Sequence, residues 1–252
     1  MASFPAKHSF ASFDGVELAW HELGEGRPVL LLHGLFSNAQ TNWIKFGHAQ
    51  EIAGRGLRVI MPDLRAHGES AAPRDPESYP PDVLVRDAQA LIAHLGLEEF
   101  DLGGFSLGAR TAAALMINGV SPRRAVLAGM GLEGLSDWDR RRDFFTAAID
   151  RRDETSHGDP HWLAVQFMKT MKIDPEAARL LLASPTDLDP ARLADIEAPT
   201  LVVCGREDDD NGSAEALAAA IPGARFAEVP GTHMSSVTKA ELGRAIADFL
   251  AT

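Results

Sequence analysis

The chain has 252 residues, is 45% hydrophobic and 24% charged, and carries a formal net charge of −12. Folding at this length buries roughly 70–75% of the surface that the unfolded chain exposes, so a full apolar core is possible without disulfides or metals, and the single cysteine, Cys204, excludes an internal disulfide. The acidic balance argues against phosphate backbones and anionic membranes, no apolar run nears the ~18 residues of a membrane span, and residues 1–15 show no secretory h-region, so a cytoplasmic protein without nucleic-acid or membrane partners is expected.

Residues 8–13 alternate apolar with polar, Asp14-Gly15 supplies a turn, and 16–23 alternate again, which predicts a β-hairpin. The continuous apolar run PVLLLHG at 28–34 suits a strand buried on both faces, as in a parallel sheet. A helix is expected over 39–54 and a second buried strand over 57–62. Val83, Leu84, Asp87, Leu91, Ile92 and Leu95 fall at helical spacing within 81–95. Strands over 99–105 and 123–129 bracket an Ala- and Leu-rich helix over 106–118. Strands over 200–205 and 224–229 then alternate with helices near 213–221 and 236–251. This rhythm predicts right-handed crossovers and a mostly parallel central sheet flanked by helices, with the hairpin at one edge. Residues 131–195 interrupt it with helix-period apolar residues, two tryptophans and arginine clusters but no strand, and read as a helical insertion.

Gly104-Phe105-Ser106-Leu107-Gly108 stands between a predicted strand and a predicted helix. That is the setting in which G-x-S-x-G forms a nucleophile elbow, with the serine on a tight turn and glycines where the backbone must pass closely. The helix N-terminus aims free N–H groups at the site, so the Leu107 amide is a candidate oxyanion donor. A serine hydroxyl needs a base. His233, in the loop PGTHMSS after a predicted strand, lies where a parallel sheet places its catalysts, with a surface histidine as the plain alternative. The acid that would orient it is offered by Asp208, Asp209 or Asp210, again straight after a buried strand. A metal site at this triplet is disfavoured, because it lacks calcium-loop spacing and no histidine adjoins it.

Several separated motifs together resemble the α/β-hydrolase superfamily over nearly the whole chain. His33-Gly34-Leu35-Phe36 looks like its oxyanion loop, and Asp63-Leu64-Arg65-Ala66-His67-Gly68-Glu69-Ser70 looks like its D-x-R-x-x-G-x-S loop, with Ala66 where many relatives have glycine. The elbow at 104–108 is the third; Gly205-Arg206-Glu207-Asp208 and Gly231-Thr232-His233 resemble the acid and base motifs. The resemblance implies an α/β-hydrolase fold with a core of 1–130 and 196–252 and a helical cap of 131–195. It also implies a triad of Ser106, Asp208 and His233, with the Leu35 and Leu107 N–H groups as oxyanion hole. Some relatives carry the acid one strand earlier, which here means a residue near Asp137.

His33, Arg65 and His67 read as braces between loops, and Cys204 as an inert core residue. His157 and His161 have the i, i+4 spacing of zinc ligands, but Gly158 and Pro160 between them weaken the helix and no third ligand is evident. Phe36, Phe105, Trp138 and Trp162 are candidates for the substrate pocket. The arginines at 140–142 and 151–152 read as a solvated helix face, with recognition of a substrate carboxylate as the alternative. The expectation is a monomeric or homodimeric serine hydrolase of small carboxylic esters, with no cofactor and no metal. Carbon–carbon, lactone, thioester and peracid chemistry use the same triad, and a ligand receptor on the same fold is the non-enzymatic alternative.

Overall fold

A computed structural model describes residues 5–252. The expected absence of a leader in residues 1–15 therefore falls in part on residues 1–4, outside the described residues. Among the described residues, eight strands form one sheet in the order β1-β2-β4-β3-β5-β6-β7-β8. They are β1 (Ala6–Ala11), β2 (Glu17–Leu23), β3 (Arg27–Leu32), β4 (Leu57–Pro62), β5 (Asp101–Phe105), β6 (Ala125–Ala128), β7 (Thr200–Gly205) and β8 (Arg225–Val229). β1 and β2 form the predicted antiparallel hairpin, and β2 runs antiparallel to β4. Every other pairing is parallel. β3 lies between β4 and β5, so the chain leaves it to one side first and returns to the other later. The crevice at such a reversal, outside the carboxyl ends of the strands, is where open α/β sheets bind ligands.

The central strands are apolar on both faces because both faces are covered. Leu30, Leu32, Ile60, Leu102, Leu127 and Val202 share one core with residues of α2 (Val83–His94), α3 (Leu107–Ile117) and α8 (Ala214–Ala220). Val29, Leu31, Val59, Met61, Val126 and Val203 share the other with α1 (His48–Ala53) and α10 (Ala240–Leu250). Each strand thus feeds alternate residues to the two cores at the period of two that the pleat imposes.

The helix expected over 39–54 is two pieces, a π-helical turn at Gln40–Ile44 and then α1, because Gly47 takes φ +83 between them. The helix expected over 236–251 likewise begins later, as α10; a separate turn, α9 (His233–Ser236), precedes it. Between β6 and β7 the regular elements of the described chain are all helical: α4 (Glu133–Ser136), α5 (Trp138–Asp150), α6 (Trp162–Thr170), α7 (Pro175–Leu182) and a 3-10 turn at Pro190–Asp195. The start of α7 is fixed locally, since the Asp174 side chain accepts from the Glu176 and Ala177 amides and Pro175 occupies the first helical position.

Candidate active site

Ser106 sits at the junction of β5 and α3 with φ +53 and ψ −115, a left-handed conformation that L-residues rarely adopt. Strain of this kind is worth about 1–3 kcal/mol and persists only where the surroundings over-determine the turn. They do so here in two ways. The Ser106 N–H donates to the Ala128 carbonyl at 2.8 Å, tying the turn to β6. The flanking glycines permit an approach that side chains would block: a Cβ on Gly104 would lie 2.2 Å from the Gly108 carbonyl carbon, and one on Gly108 would lie 2.1 Å from the Leu32 carbonyl oxygen.

The structure brings Ser106, His233 and Asp208 together. His233 opens α9, whose start is held by a reciprocal capping box between Thr232 and Ser235. Its Nε2 lies 3.0 Å from Ser106 Oγ and its Nδ1 lies 2.9 Å from Asp208 Oδ2. With Nδ1–H donating to the carboxylate, Nε2 is left as the acceptor for the serine O–H. All three side chains are buried, at 7%, 9% and 7% exposure for Ser106, His233 and Asp208. Burial opposes the Asp208 charge. The His233 hydrogen bond and charge, the Cys204 thiol and the Asp210 amide together outweigh it and hold the carboxyl below its ordinary value. Of the other acid candidates, Asp210 offers Asp208 its backbone N–H at 3.3 Å, and Asp137 is half-buried and paired with Arg140.

Cys204 was expected to be inert packing, but its Sγ lies 3.4 Å from Asp208 Oδ2, where the thiol donates to the carboxylate. Burial first and the neighbouring Asp208 charge second push the thiol up to about 12. A cysteine four positions before the acid, at the end of a buried strand, was the available signal. Asn211 was also passed over; its Nδ2 donates to the Gly129 carbonyl at 2.8 Å and ties the Asp208 loop to the end of β6.

Among the described residues neither the Leu35 nor the Leu107 backbone N–H has a protein acceptor. Around Leu35 the chain is otherwise stitched tight. The Gly34 N–H donates to Asn42 Oδ1 at 3.0 Å and the Phe36 N–H donates to His67 Nε2 at 2.9 Å. The Leu64 N–H donates to His33 Nε2 at 2.9 Å. His33 Nδ1 in turn donates to the Gly34 carbonyl, and His67 Nδ1 to the Arg65 carbonyl, at 2.8 and 2.9 Å. Both rings are therefore neutral Nδ1–H tautomers that latch the loop after β3 to the loop after β4. Burial, then the nearby His33, pulls His67 down to about 3. Burial also lowers His33. Arg65 braces the same loop, its buried guanidinium forking onto both Asp14 and Asp87. Phe36 at φ +57 and Ala66 at φ +66 are left-handed residues within this latch.

The pocket candidates separate. Phe36 is buried on the site side and meets the Phe145 ring edge-on at 5.5 Å. Phe105 packs beneath His233, ring to ring at 5.0 Å, and supports that imidazole from the core. Trp138 must be corrected. Trp138 is 5% exposed, donates its indole N–H to the Leu182 carbonyl at 3.0 Å and lies under Arg110, so its ring packs the helical segment onto α3. Trp162 is half-buried and faces His157 at 5.0 Å. Apolar periodicity in a small helical segment marks residues that must be covered, and Trp138 is covered by Leu182 of the segment and by Arg110 of α3.

Comparison with known proteins identifies the family. Residues 29–242 match the Alpha/beta hydrolase family. Epoxide hydrolase 2 of Siraitia grosvenorii is 33% identical over 107 residues, which cover 42% of this chain and 33% of that protein. The 2-hydroxymuconate semialdehyde hydrolase of a Pseudomonas strain is 34% identical over 123 residues, covering 48% of this chain and 42% of that one. The chain therefore spans well under half the length of these relatives. The structure of an esterase from Exiguobacterium antarcticum superposes with a TM-score of 0.78, covering 97% of this chain and 99% of that one at 20% identity, a likeness of fold. The match of the family over 29–242, together with the fold, establishes that the chain belongs to the alpha/beta hydrolase family.

Proposed function

We propose that the protein is a serine hydrolase that cleaves small carboxylic esters through an acyl-enzyme on Ser106. The observation that carries this reading is the continuous hydrogen-bond chain from Ser106 through His233 to Asp208, at 3.0 and 2.9 Å. In the proposed reaction Nε2 of His233 takes the Ser106 proton as Oγ attacks the ester carbonyl. The tetrahedral oxyanion is held by the Leu35 and Leu107 N–H groups, each such donor being worth about 3–4 kcal/mol in the transition state. Collapse expels the alcohol, which takes its proton from His233. Water, deprotonated by the same nitrogen, then releases the acid. Asp208 keeps the imidazole in the required tautomer and stabilises its cation. The helical segment between β6 and β7 is assigned as the cap over this site.

Epoxide opening, suggested by one relative's name, fits a serine poorly. Attack of Oγ on an epoxide carbon leaves an ether, which a histidine-activated water does not cleave, whereas an acyl-serine is an ester and turns over. Carbon–carbon hydrolysis is the second reading, supported by the likeness to 2-hydroxymuconate semialdehyde hydrolase. The test is titration with an alkyl fluorophosphonate. The expected result is one equivalent bound at Ser106 and loss of p-nitrophenyl butyrate hydrolysis in step with it. Hydrolysis that persists after complete phosphonylation, or a label on another residue, would overturn the reading.

A further inference from the structure

Arg141 is the middle of three consecutive arginines on α5 and differs from both neighbours. Arg140 and Arg142 are paired with carboxylates of their own surroundings, Asp137 at 2.8 Å and Asp139 at 2.7 Å. Among the described residues no carboxylate lies within 4.0 Å of Arg141. Its guanidinium is partly buried, donates to the Asp210 carbonyl at 2.7 Å, and lies 5.2 Å from the Phe145 ring. Burial lowers its pKa, and the charges of Asp210 and Asp208 pull the other way.

The position of that charge follows from helix geometry. Trp138, Arg141 and Phe145 fall at i, i+3 and i+7, one stripe of α5. Trp138 lies against Arg110, on the helix that Ser106 begins. Phe145 meets Phe36, next in chain to the Leu35 amide. Arg141 reaches the loop that carries Asp208. The stripe thus touches the three segments that surround Ser106, and Arg141 presents a cation there whose direct partners are a backbone carbonyl and an aromatic ring, with the Asp208 and Asp210 carboxylates acting on it only from beyond 4.0 Å. A guanidinium has five N–H donors in a planar fork matched to a carboxylate. A partly desolvated arginine with most of its donors uncommitted is stabilised when a carboxylate arrives.

We propose that Arg141 recognises a carboxylate on the substrate, so that the preferred esters are anionic ones. The proposal rests on the reading of Ser106 as the nucleophile.

The test measures kcat/KM for two matched pairs. One pair places the charge on the acyl side (mono-p-nitrophenyl glutarate against p-nitrophenyl valerate), the other on the alcohol side (4-carboxyphenyl butyrate against phenyl butyrate). For each pair the ratio of anionic to neutral is compared between wild type, Arg141→Gln and Arg141→Lys. In at least one pair Arg141→Gln should lower that ratio by about ten- to a hundredfold, the usual worth of charge-assisted hydrogen bonds. Arg141→Lys should recover part of it, and added salt should erode the wild-type ratio. Ratios that stay within twofold in both pairs, with both esters slowed alike, would overturn the proposal and leave Arg141 as a tie between α5 and the Asp208 loop. Fluorophosphonate labelling of the same preparations separates the two claims. Label on Ser106 without charge discrimination sinks the Arg141 assignment alone; no label on Ser106 sinks both.

Discussion

Replacing His67 with asparagine tests the loop latch through its pH dependence. In the fold this ring is fully buried, accepts from the Phe36 N–H and has its pKa pulled down to about 3. In the unfolded chain it titrates near 6.5. Between those values the unfolded state binds a proton that the folded state refuses. The stability His67 confers is therefore complete above pH ~6.5 and is lost as pH falls toward 3. At pH 5 the deficit is about 1.4 kcal/mol for each of 1.5 pH units, or roughly 2 kcal/mol. Asparagine does not titrate, so the advantage of wild type over His67→Asn should shrink by that amount between pH 7.5 and pH 5. Urea unfolding at the two pH values measures both proteins. His48 is also lowered by burial, but it is present in both proteins and cancels in the difference; His33, ring to ring with His67 at 5.2 Å, is removed from the comparison by a second pair of proteins that both carry His33→Asn. An unchanged difference between the two pH values would refute the assignment of His67 as a buried neutral acceptor.

Three further outcomes are expected. Ala66 holds φ +66, so Ala66→Gly should relieve the left-handed alanine and raise stability by about 0.5–1 kcal/mol, or roughly 1–3 °C in Tm; a lower Tm would contradict the strain argument. Cys204 is buried and its thiol is pushed up to about 12, so iodoacetamide at pH 8 should leave the folded protein unlabelled and alkylate it after urea unfolding, whereas labelling of the native chain within minutes would show an accessible thiolate. Asp208→Asn should lower kcat for a neutral ester by roughly three to four orders of magnitude through the wrong imidazole tautomer, and a loss under tenfold would point to another acid.

The elements that were legible in the sequence are those whose cause is local. PVLLLHG reads as a two-sided strand because both its faces are buried, and the elbow reads as a turn because Gly104 and Gly108 stand where backbone meets backbone. Asp208 and His233, the candidate acid and base, fall at strand ends, where a parallel sheet exposes its loops, and the structure joins them to each other and to Ser106 by hydrogen bonds. What was not legible depends on direction rather than type. Gly47 sits within a helix-like stretch, and only its φ of +83 divides that stretch in two. His33 and His67 read as braces, but which amides they hold depends on how two loops cross. Trp138 was apolar because it seats the helical segment on α3, a contact that periodicity within the segment does not reveal. Arg140, Arg141 and Arg142 are alike in sequence. The stripe shared with Trp138 and Phe145 aims the middle one at the Asp210 carbonyl and leaves it without a paired carboxylate, and that i, i+3, i+7 spacing was readable.

The most direct test of the account is the hydrolysis of p-nitrophenyl butyrate by wild type and Ser106→Ala. The serine that is removed is the group hydrogen-bonded to His233 at 3.0 Å, so wild type should turn over and the variant should lose roughly four to six orders of magnitude in kcat. Equal rates for the two proteins would mean that Ser106 is not the nucleophile, and the proposed mechanism would be wrong.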